Sequence, residues 1–323
     1  MNILANDGVS KNCVLKLEEN SFRVIQDKVE QEKLTDYINA ESIEVLLVRS
    51  ATKVRKELID KCPNLKFIGR GGVGMDNIDV EYARSKGIEV ANTPAASSIS
   101  VAEIVFAHLF SLARSLFKSN RSMPLEGDSK FKQLKKEYAK GIELRGKTIG
   151  IIGFGRIGQE VAKIGLGIGM NVKFYDIYTK SADLNILFFD GSSKKFSLSS
   201  SDYEDLLKSS DFITLHVPAQ KDYIIGEKEL DLMKDGIGII NAARGGVIDE
   251  NALLNAISKN KVLFAGLDTF ENEPNPDIKI LMNPYISLTP HIGAATNEAQ
   301  ERIGIELADK IINFYISSNA QQT

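Results

Sequence analysis

The chain has 323 residues, enough for about two domains, and its 43% hydrophobic and 26% charged content is ordinary for a globular protein. A formal net charge of −3 offers no general attraction for nucleic acid or an anionic membrane, so neither is an expected partner. The two cysteines, Cys13 and Cys62, lie far apart without metal-ligand spacing, which predicts no metal site and reduced thiols in the cytoplasm.

The first part of the chain alternates strand-like and helical patterns as far as about residue 96. Alternation of this kind is typical of a parallel α/β sheet. Strands are predicted at Asn2–Ala5, Ile43–Val48, Leu65–Ile68 and Ile88–Ala91, with helical patterns such as Gln31–Asn39 and Glu81–Ser85 between them.

Two of these strands run into loops that are rich in basic residues or glycine. Ligands of open α/β sheets bind outside the carboxyl ends of the strands, so both loops should lie at one edge. Their arginine and lysine side chains predict a site for a carboxylate or phosphate, although solvated surface charge is an alternative interpretation. The expected substrate contacts are Arg49, Ser50 and Lys53 in the first loop and Arg70, Gly71 and Gly72 in the second.

The stretch from Val101 to Phe117 is apolar on most faces, but it is short for a membrane span and carries charged side chains. It therefore predicts a buried or subunit-interface helix. Its histidine, His108, is interpreted as structural because no partnered site accompanies it in the sequence. Residues 118–146 are polar and rich in lysine, which predicts a solvated connection before the next strand.

The stretch from Lys147 to Asp176 has the pattern of a dinucleotide-binding βαβ unit. An apolar strand ends in G-x-G-x-x-G, formed by Gly153, Gly155 and Gly158, and a helical pattern follows. Glycine at these positions permits the tight turn, the approach of a pyrophosphate to the helix N-terminus and close helix packing. Asp176 ends the next strand, where a carboxylate can bind the adenosine ribose and repel a 2′-phosphate, which favours NAD over NADP.

After a serine-rich stretch, Ser181–Ser201, in which we find no motif, strand patterns resume. Four strands then end in polar loops that should converge beside the glycine loop in a cleft between two domains. A last helix, from Asn297 to about Tyr315, should pack on the first domain. The four strands are predicted at Phe212–Leu215, Ile237–Ile240, Val262–Leu267 and Tyr285–Leu288.

Three residues of these loops, Arg244, Glu273 and His291, have the side chains that hydride transfer to a ketone needs. Histidine can exchange the hydroxyl proton, and a carboxylate on its other ring nitrogen would orient it. Arginine can hold a substrate carboxylate or polarise a carbonyl. Asp268 could bond the nicotinamide carboxamide, whereas His216, at a strand end, is either a cofactor contact or a packing residue.

These motifs resemble those of the D-isomer-specific 2-hydroxyacid dehydrogenases along nearly the whole chain. We therefore expect an α/β fold of two Rossmann-like or flavodoxin-like domains with parallel sheets and an active site in the interdomain cleft. Residues 1–97 plus 292–323 would form the substrate-binding domain and residues 98–291 the NAD-binding Rossmann domain. The matching runs are RSATKV (49–54), GRGGVGMDNID (69–79), NTP (92–94), GIIGFGRIGQE (150–160), LHVP (215–218), NAARGGVIDE (241–250), LDTFENEP (267–274) and TPHIGAAT (289–296).

The resemblance implies that His291 is the acid/base, paired with Glu273, and that Arg244 binds the substrate. It also implies a homodimer formed through the NAD-binding domains, with the Val101–Phe117 helix in the interface. Besides the glycines, Asp176, His216 and Asp268, the implied NAD contacts are Arg156, Ile157, Val217, Pro218, Ala242, Ala243, Gly293 and Ala294.

Within the family, Arg49, Arg70 and the RSATKV run most resemble the branch that oxidises D-3-phosphoglycerate to 3-phosphohydroxypyruvate in phosphorylated serine synthesis, in a short form without a C-terminal regulatory domain. One alternative is another branch, such as a hydroxypyruvate/glyoxylate reductase or a D-lactate dehydrogenase, whose substrates carry no phosphate. A second alternative is a non-enzymatic, NAD-sensing corepressor of the same fold.

Overall fold

The computed structural model describes residues 1–320, and the chain divides into two compact units. One unit combines Met1–Ser98 with the chain from Ala294 onwards, and the other is formed by Ile99–Gly293. The first unit is therefore built from both ends of the chain, and the second is inserted within it.

Strands and helices alternate along the first segment, as its sequence pattern predicts. They are β1 (Asn2–Ala5), α1 (Lys11–Glu19), β2 (Arg23–Ile25), α2 (Leu34–Ala40), β3 (Ile43–Val48), α3 (Lys56–Lys61), β4 (Phe67–Arg70), α4 (Val80–Ser85) and β5 (Glu89–Asn92). The strands form one parallel sheet in the order β2-β1-β3-β4-β5, which is the flavodoxin-like order. The carboxyl ends of β3 and β4 are therefore neighbours at one edge.

The second unit contains a six-stranded parallel sheet and a separate two-stranded hairpin. Its elements are α5 (Ser98–Ala113), α6 (Leu116–Glu137), β6 (Thr148–Ile152), α7 (Arg156–Gly167), β7 (Asn171–Tyr175), β8 (Ser181–Leu187), β9 (Ser193–Ser199), α8 (Tyr203–Ser209), β10 (Phe212–Leu215), α9 (Glu227–Leu232), β11 (Ile237–Asn241), α10 (Glu250–Ser258), β12 (Val262–Leu267), α11 (Ile278–Leu281) and β13 (Ile286–Leu288). The large sheet has the order β13-β12-β11-β10-β6-β7. The strand order reverses between β6 and β10, where such sheets bind their ligands.

Buried side chains cover both sheets. In the second unit, Leu206, Leu215 and Leu253 are fully buried in a single apolar cluster that joins α8, β10 and α10. Each such side chain stabilises the fold by about 1.5–3 kcal/mol relative to its exposed state. This packing fixes the loops at the carboxyl ends of the strands, which carry the polar residues of interest.

The last helix, α12 (Asn297–Ala320), belongs to the first unit. Its Ile311 and Tyr315 are buried with Ile3 and Phe67 of the five-stranded sheet, as its apolar pattern predicts. Helix α12 also lies against α1, since a Cβ at Gly304 would come within 2.8 Å of the Cβ of Cys13. One face of the N-terminal sheet is thus completed by the C-terminal helix.

The prediction of a solvated connection over residues 118–146 is wrong in part, because most of this segment is the helix α6. It is largely exposed: Leu134 is buried, and Glu126 and Lys130 form an ion pair of 3.2 Å. A helix without a wide apolar stripe gives no periodic signal in the sequence. The preceding helix, α5, ends at Ala113 rather than Phe117, because Ser115 takes a left-handed conformation with φ of 50°.

Among the described residues, 1–320, no single helix is both long and apolar enough to cross a bilayer. Helices α5 and α6 reach that length and composition only as a pair, and the pair is bent by 57°.

The stretch Ser181–Ser201, which had no interpretable motif, forms the antiparallel hairpin of β8 and β9. Leu184 is its buried residue, and most other side chains are exposed on both faces. The alternation of apolar and polar residues that marks a half-buried strand is therefore weak here. These two strands could therefore not be predicted from hydrophobic periodicity.

Candidate active site

The glycine loop between β6 and α7 is tightly packed at two of its glycines, where the neighbouring backbone leaves no room for a side chain. Gly153 has a φ of 92°, and a Cβ there would lie 2.5 Å from the carbonyl oxygen of His216. A Cβ at Gly158 would collide with the carbonyl of Gly153. At Gly155, the N-cap of α7, no described residue other than its own chain neighbours has an atom within 4 Å of the Cβ position. This open backbone at a helix N-terminus fits the pyrophosphate of NAD.

Asp176 follows β7 and binds the glycine loop through its own side chain. Its Oδ2 accepts the Phe154 N–H at 2.6 Å, and its Oδ1 accepts the N–H groups of Tyr178 and Thr179 at 2.8 Å. Burial opposes ionisation of this carboxyl, but the three N–H donors outweigh burial and hold its pKa below the usual range. A charged carboxylate thus lies beside the loop, where it fits a ribose and opposes a 2′-phosphate.

His216 follows β10, and its backbone rather than its ring meets the glycine loop. Its Nε2 lies 3.0 Å from the Oγ1 of Thr214, and burial lowers the pKa of the imidazole to about 3, so the ring is neutral. The Cγ1 of Val217 would lie 2.9 Å from a Cβ at Gly153, whereas Pro218 is exposed. A packing role accounts for the ring, while the His216 backbone and the Val217 side chain line the loop.

The loop after β11 is held by a residue that we did not predict, Asn241. Its Oδ1 accepts the Ala243 N–H at 3.0 Å, and its Nδ2 donates to the Arg244 carbonyl at 2.9 Å. The Arg244 guanidinium donates to the Ala243 carbonyl at 2.7 Å and is half-buried, and Ala242 is buried. An asparagine directly after a buried strand is a signal that could have identified this role.

His291 and Glu273 form the pair that their residue types suggested. His291 Nδ1 lies 2.8 Å from Glu273 Oε2, and His291 takes a left-handed backbone conformation with φ of 53°. Such a conformation is costly for a non-glycine residue and is concentrated at functional sites. When the neutral ring donates its Nδ1 proton to the carboxylate, Nε2 becomes the basic nitrogen.

The Glu273 carboxylate is held on its other side by the backbone. Its Oε1 accepts the Phe270 N–H at 3.0 Å. Burial raises the pKa of Glu273, but the hydrogen bond with His291, the Phe270 N–H and the nearby charge of Arg244 outweigh it, so the pKa lies below the usual range. A cavity of about 370 Å³ borders Glu273 and His291 and is otherwise mostly apolar, with Phe270 and Leu288 in its wall.

A reciprocal pair of glutamates braces the loop that carries Glu273. The Glu250 N–H donates to Glu271 Oε1 and the Glu271 N–H donates to Glu250 Oε1, both at 2.9 Å. The Phe270–Glu271 peptide lies so close to Gly245 that a Cβ there would collide with it. The start of α10 and the loop after β11 therefore fix the turn in which Glu273 lies.

Asp268 is buried after β12, and both of its carboxylate oxygens bind the loop after β13. Oδ1 accepts the Thr289 hydroxyl at 2.7 Å and the Ile292 N–H at 2.8 Å, and Oδ2 accepts the Gly293 N–H at 2.8 Å. These bonds lie on either side of His291. In this structure Asp268 and Gly293 thus order the histidine loop, and their predicted contacts with NAD remain predictions.

In the first unit, Asp7 organises the loop that follows β3. Its carboxylate accepts the Arg49 N–H at 2.7 Å, the Thr52 N–H at 3.1 Å and the Thr52 hydroxyl at 2.8 Å, and it pairs with Lys28 at 2.6 Å. The Asp7 side chain is 5% exposed. The backbone of this loop is therefore held at Arg49 and Thr52, and Ser50 between them is exposed.

Arg70 and Gly71 lie next to Arg49 because β4 pairs with β3. A Cβ at Gly71 would lie 3.5 Å from the Arg49 Cγ, and both residues line a small cavity that Gln300 of α12 also borders. Gly72 has a φ of 139°, and the Arg70 guanidinium lies over its Cα, where a Cβ would collide with it. Arg49 and Arg70 thus lie at neighbouring strand ends on one edge of the five-stranded sheet.

The structure brings together most of the predicted site residues within each unit. Lys53 is an exception, since its side chain is exposed and its backbone is bound to Gln31 at 2.9 Å. Arg156 and Ile157 form the first turn of α7, exposed and half-buried respectively, and the carbonyl of Ala294 accepts a hydrogen bond from Gln300 at 2.8 Å. The residues that sequence reasoning missed are the supporting ones: Asp7, Asn241, Glu250, Glu271 and Thr289.

Residues 106–293 match the family described as D-isomer specific 2-hydroxyacid dehydrogenase, NAD binding domain. A hydroxypyruvate reductase of Thermotoga maritima is 43% identical over 312 residues, which cover 95% of each chain. A D-3-phosphoglycerate dehydrogenase of Methanocaldococcus jannaschii is 41% identical over 96% of this chain and 56% of its own length. Among solved structures, a D-lactate dehydrogenase from Aquifex aeolicus, complexed with NAD and lactic acid, matches with a TM-score of 0.74 and 31% identity over 100% of this chain and 97% of that chain.

Proposed function

Since this chain belongs to the D-isomer specific 2-hydroxyacid dehydrogenases and is an NAD-dependent oxidoreductase, we propose that it oxidises D-3-phosphoglycerate to 3-phosphohydroxypyruvate. The observation that carries the choice of substrate is the pair of arginines, Arg49 and Arg70, at neighbouring strand ends of the first unit. Two guanidinium groups at one site suit a dianionic phosphate, which guanidinium recognises with paired N–H donors.

NAD supplies the acceptor for the hydride that leaves the substrate carbon. In our proposal the open backbone at Gly155 and the start of α7 hold its pyrophosphate, and Asp176 accepts hydrogen bonds from the adenosine ribose. The His216 carbonyl and the Val217 side chain border the same glycine loop.

His291 Nε2 takes the proton of the substrate hydroxyl as the hydride leaves. Glu273 fixes the ring through Nδ1 and stabilises the imidazolium that forms, because its carboxylate stays ionised. Arg244 holds the C1 carboxylate of the substrate, and Arg49 and Arg70 hold the phosphate. Glu273 lies in the loop after β12 and His291 in the loop after β13, so these two loops position the groups that move the proton.

A substrate panel with arginine variants tests this assignment. Initial rates of NAD reduction are measured with D-3-phosphoglycerate, D-glycerate and D-lactate. Loss of one charged hydrogen-bond partner costs about 1.5–3 kcal/mol, so R49A and R70A should each raise the KM for D-3-phosphoglycerate by roughly 10–100-fold. Turnover of D-glycerate should change less than about threefold, because that substrate has no phosphate.

K53A is the matched control, since Lys53 lies in the same loop and its side chain is exposed. It should leave both substrates nearly unchanged. Equal wild-type kcat/KM values for D-glycerate and D-3-phosphoglycerate would contradict the phosphate assignment without contradicting the dehydrogenase.

A second candidate is the reduction of hydroxypyruvate or glyoxylate. It is favoured by the Thermotoga maritima hydroxypyruvate reductase, whose length this chain matches almost completely. Hydroxypyruvate has the same carboxylate and carbonyl but no phosphate, so Arg244, Glu273 and His291 would keep their roles. In that case R49A and R70A would change kcat/KM for the preferred substrate no more than for the other substrates.

Asp176 should set the cofactor preference. In D176N the charge is removed and one oxygen acceptor is kept, so the ratio of kcat/KM with NAD to that with NADP should fall by about tenfold or more. D176A should lower the ratio further, because the three N–H groups that shape the loop lose their acceptor as well. An unchanged ratio in both variants, measured with one substrate at one pH, would argue against the ribose role.

We also propose that the protein is a homodimer formed through its second unit. Helices α5 and α6 carry large apolar side chains that are exposed in the single chain, among them Phe110 (46%), Leu116 (60%) and Leu125 (80%). Exposed apolar groups of this size mark interaction surfaces. Sedimentation equilibrium should give a mass near twice 35.6 kDa, and a monomer mass at micromolar concentration would contradict the proposal.

A further inference from the structure

His108 lies inside α5 and makes two hydrogen bonds through its ring. Its Nδ1 lies 2.9 Å from the hydroxyl oxygen of Ser287 and its Nε2 lies 3.0 Å from that of Thr289. His108 is 3% exposed and packs directly on the backbone of Gly266 in β12. A Cβ at Gly266 would lie 2.8 Å from the Cβ of His108. The buried imidazole therefore bridges two hydroxyl groups, that of Ser287 in β13 and that of Thr289, which directly follows β13 and leads into the His291 loop.

The bonds continue from Thr289 to the backbone beside His291. The Thr289 hydroxyl donates to Asp268 Oδ1, which also accepts the Ile292 N–H, while Oδ2 accepts the Gly293 N–H. Asp268 is 1% exposed, so an unpaired donor or acceptor among these buried groups would destabilise the fold. The chain of hydrogen bonds is thus continuous from His108 in α5 to the peptide that follows the catalytic histidine.

The proton positions along this chain of hydrogen bonds follow from the inventory of donors. An ionised carboxylate only accepts, so the single hydroxyl proton of Thr289 is given to Asp268. Thr289 must then accept from His108 Nε2, which places the ring proton on Nε2. Burial lowers the pKa of His108 and keeps the ring neutral, so Nδ1 has no proton and accepts from Ser287. Every donor therefore points towards Asp268.

We propose that His108 is a positioning residue, which in its neutral Nε2–H form holds Thr289 and Asp268 and thereby the loop that presents His291 to the substrate. The inference rests on the proposed role of His291. The groups facing the His108 ring are Ser287, Thr289 and the Asp268 carboxylate. Leucine would fill the same space without fixing the loop.

The tautomer is tested directly on the wild-type protein. The chain has three histidines, so the ring nitrogens can be assigned by ¹⁵N NMR with one histidine replaced at a time. We expect His108 to be a neutral Nε2–H ring at pH 8, where a histidine with a lowered pKa carries no charge. An Nδ1–H ring or a doubly protonated ring at that pH would overturn the inference whatever the activity of the enzyme.

Kinetics of matched variants test the positioning role. A displacement of about 1 Å can reduce catalysis by up to 10²-fold, so H108L and T289V should each lower kcat by roughly 10–100-fold. T289S keeps both hydroxyl bonds and should retain kcat within about threefold. The Nδ1–H proton signal of His291 should persist in T289S and weaken in T289V.

Wild-type kcat in both H108L and T289V, or equal losses in T289S and T289V, would overturn the positioning role. Failure of H108L to fold leaves the Thr289 pair and the NMR result to decide. The proposed function fails separately, if H291A keeps its activity while His108 still shows the Nε2–H form.

Discussion

Replacing His291 by alanine is expected to lower kcat for D-3-phosphoglycerate oxidation by about 10²–10⁴-fold, because no other group then takes the hydroxyl proton as the hydride leaves. The dissociation constant of NAD, measured by calorimetry, should stay within about threefold of wild type, since the glycine loop and Asp176 are untouched. The effect is expected on kcat rather than on cofactor binding, because the ring acts on the reacting proton.

The matched variant is E273Q, which can keep a hydrogen bond to Nδ1 and removes the charge. It should lower kcat by about 10-fold, less than H291A, because the ring is still held but its imidazolium form loses a counter-ion. The pKa of Glu273 lies below its usual range, so wild-type Glu273 is charged throughout the neutral range. Glutamine cannot ionise, so raising the pH should not rescue E273Q. Full activity of H291A would remove His291 from the reaction.

Arg244 should matter most for substrate capture. A bidentate contact with the C1 carboxylate comprises two charged hydrogen bonds of about 1.5–3 kcal/mol each, so R244A should reduce kcat/KM by roughly 10²–10⁴-fold. The same loss is expected with D-3-phosphoglycerate and D-glycerate, because both carry the carboxylate. This uniformity distinguishes Arg244 from Arg49 and Arg70.

R244K is the informative companion. Lysine keeps the charge but loses the planar fork, so its kcat/KM should lie between those of wild type and R244A. The guanidinium also donates to the Ala243 carbonyl, so circular dichroism must show that R244A retains its fold. If R244A changes kcat/KM less than about fivefold with both substrates, the carboxylate is held by another group.

Much of the sheet architecture could be read from the sequence because parallel strands are buried on both faces. Runs such as Ile43–Val48 and Val262–Leu267 stand out as short apolar segments that end in polar loops. The glycine loop was equally readable, since its spacing is imposed by backbone contacts at Gly153 and Gly158. In these places local sequence and tertiary packing require the same residues.

The residues that support the site could not be read in the same way. His108 looked like one more buried histidine, and its partners Ser287 and Thr289 lie on a strand far along the chain. Glu250 and Glu271 were not singled out in the sequence, and it is their reciprocal hydrogen bonds that identify them. Roles that depend on long-range pairing of ordinary polar residues leave no local pattern.

The two-ended construction of the first unit has a consequence for biosynthesis. The sheet that contains Ile3 and Phe67 leaves the ribosome well before Ile311 and Tyr315, which cover one of its faces. At about 5–20 residues per second, the intervening residues 99–293 take roughly 10–40 s to translate. During that interval the inserted unit can fold while the N-terminal sheet still exposes an apolar face. The core of the first unit can therefore be completed only after the whole of the inserted unit has been synthesised.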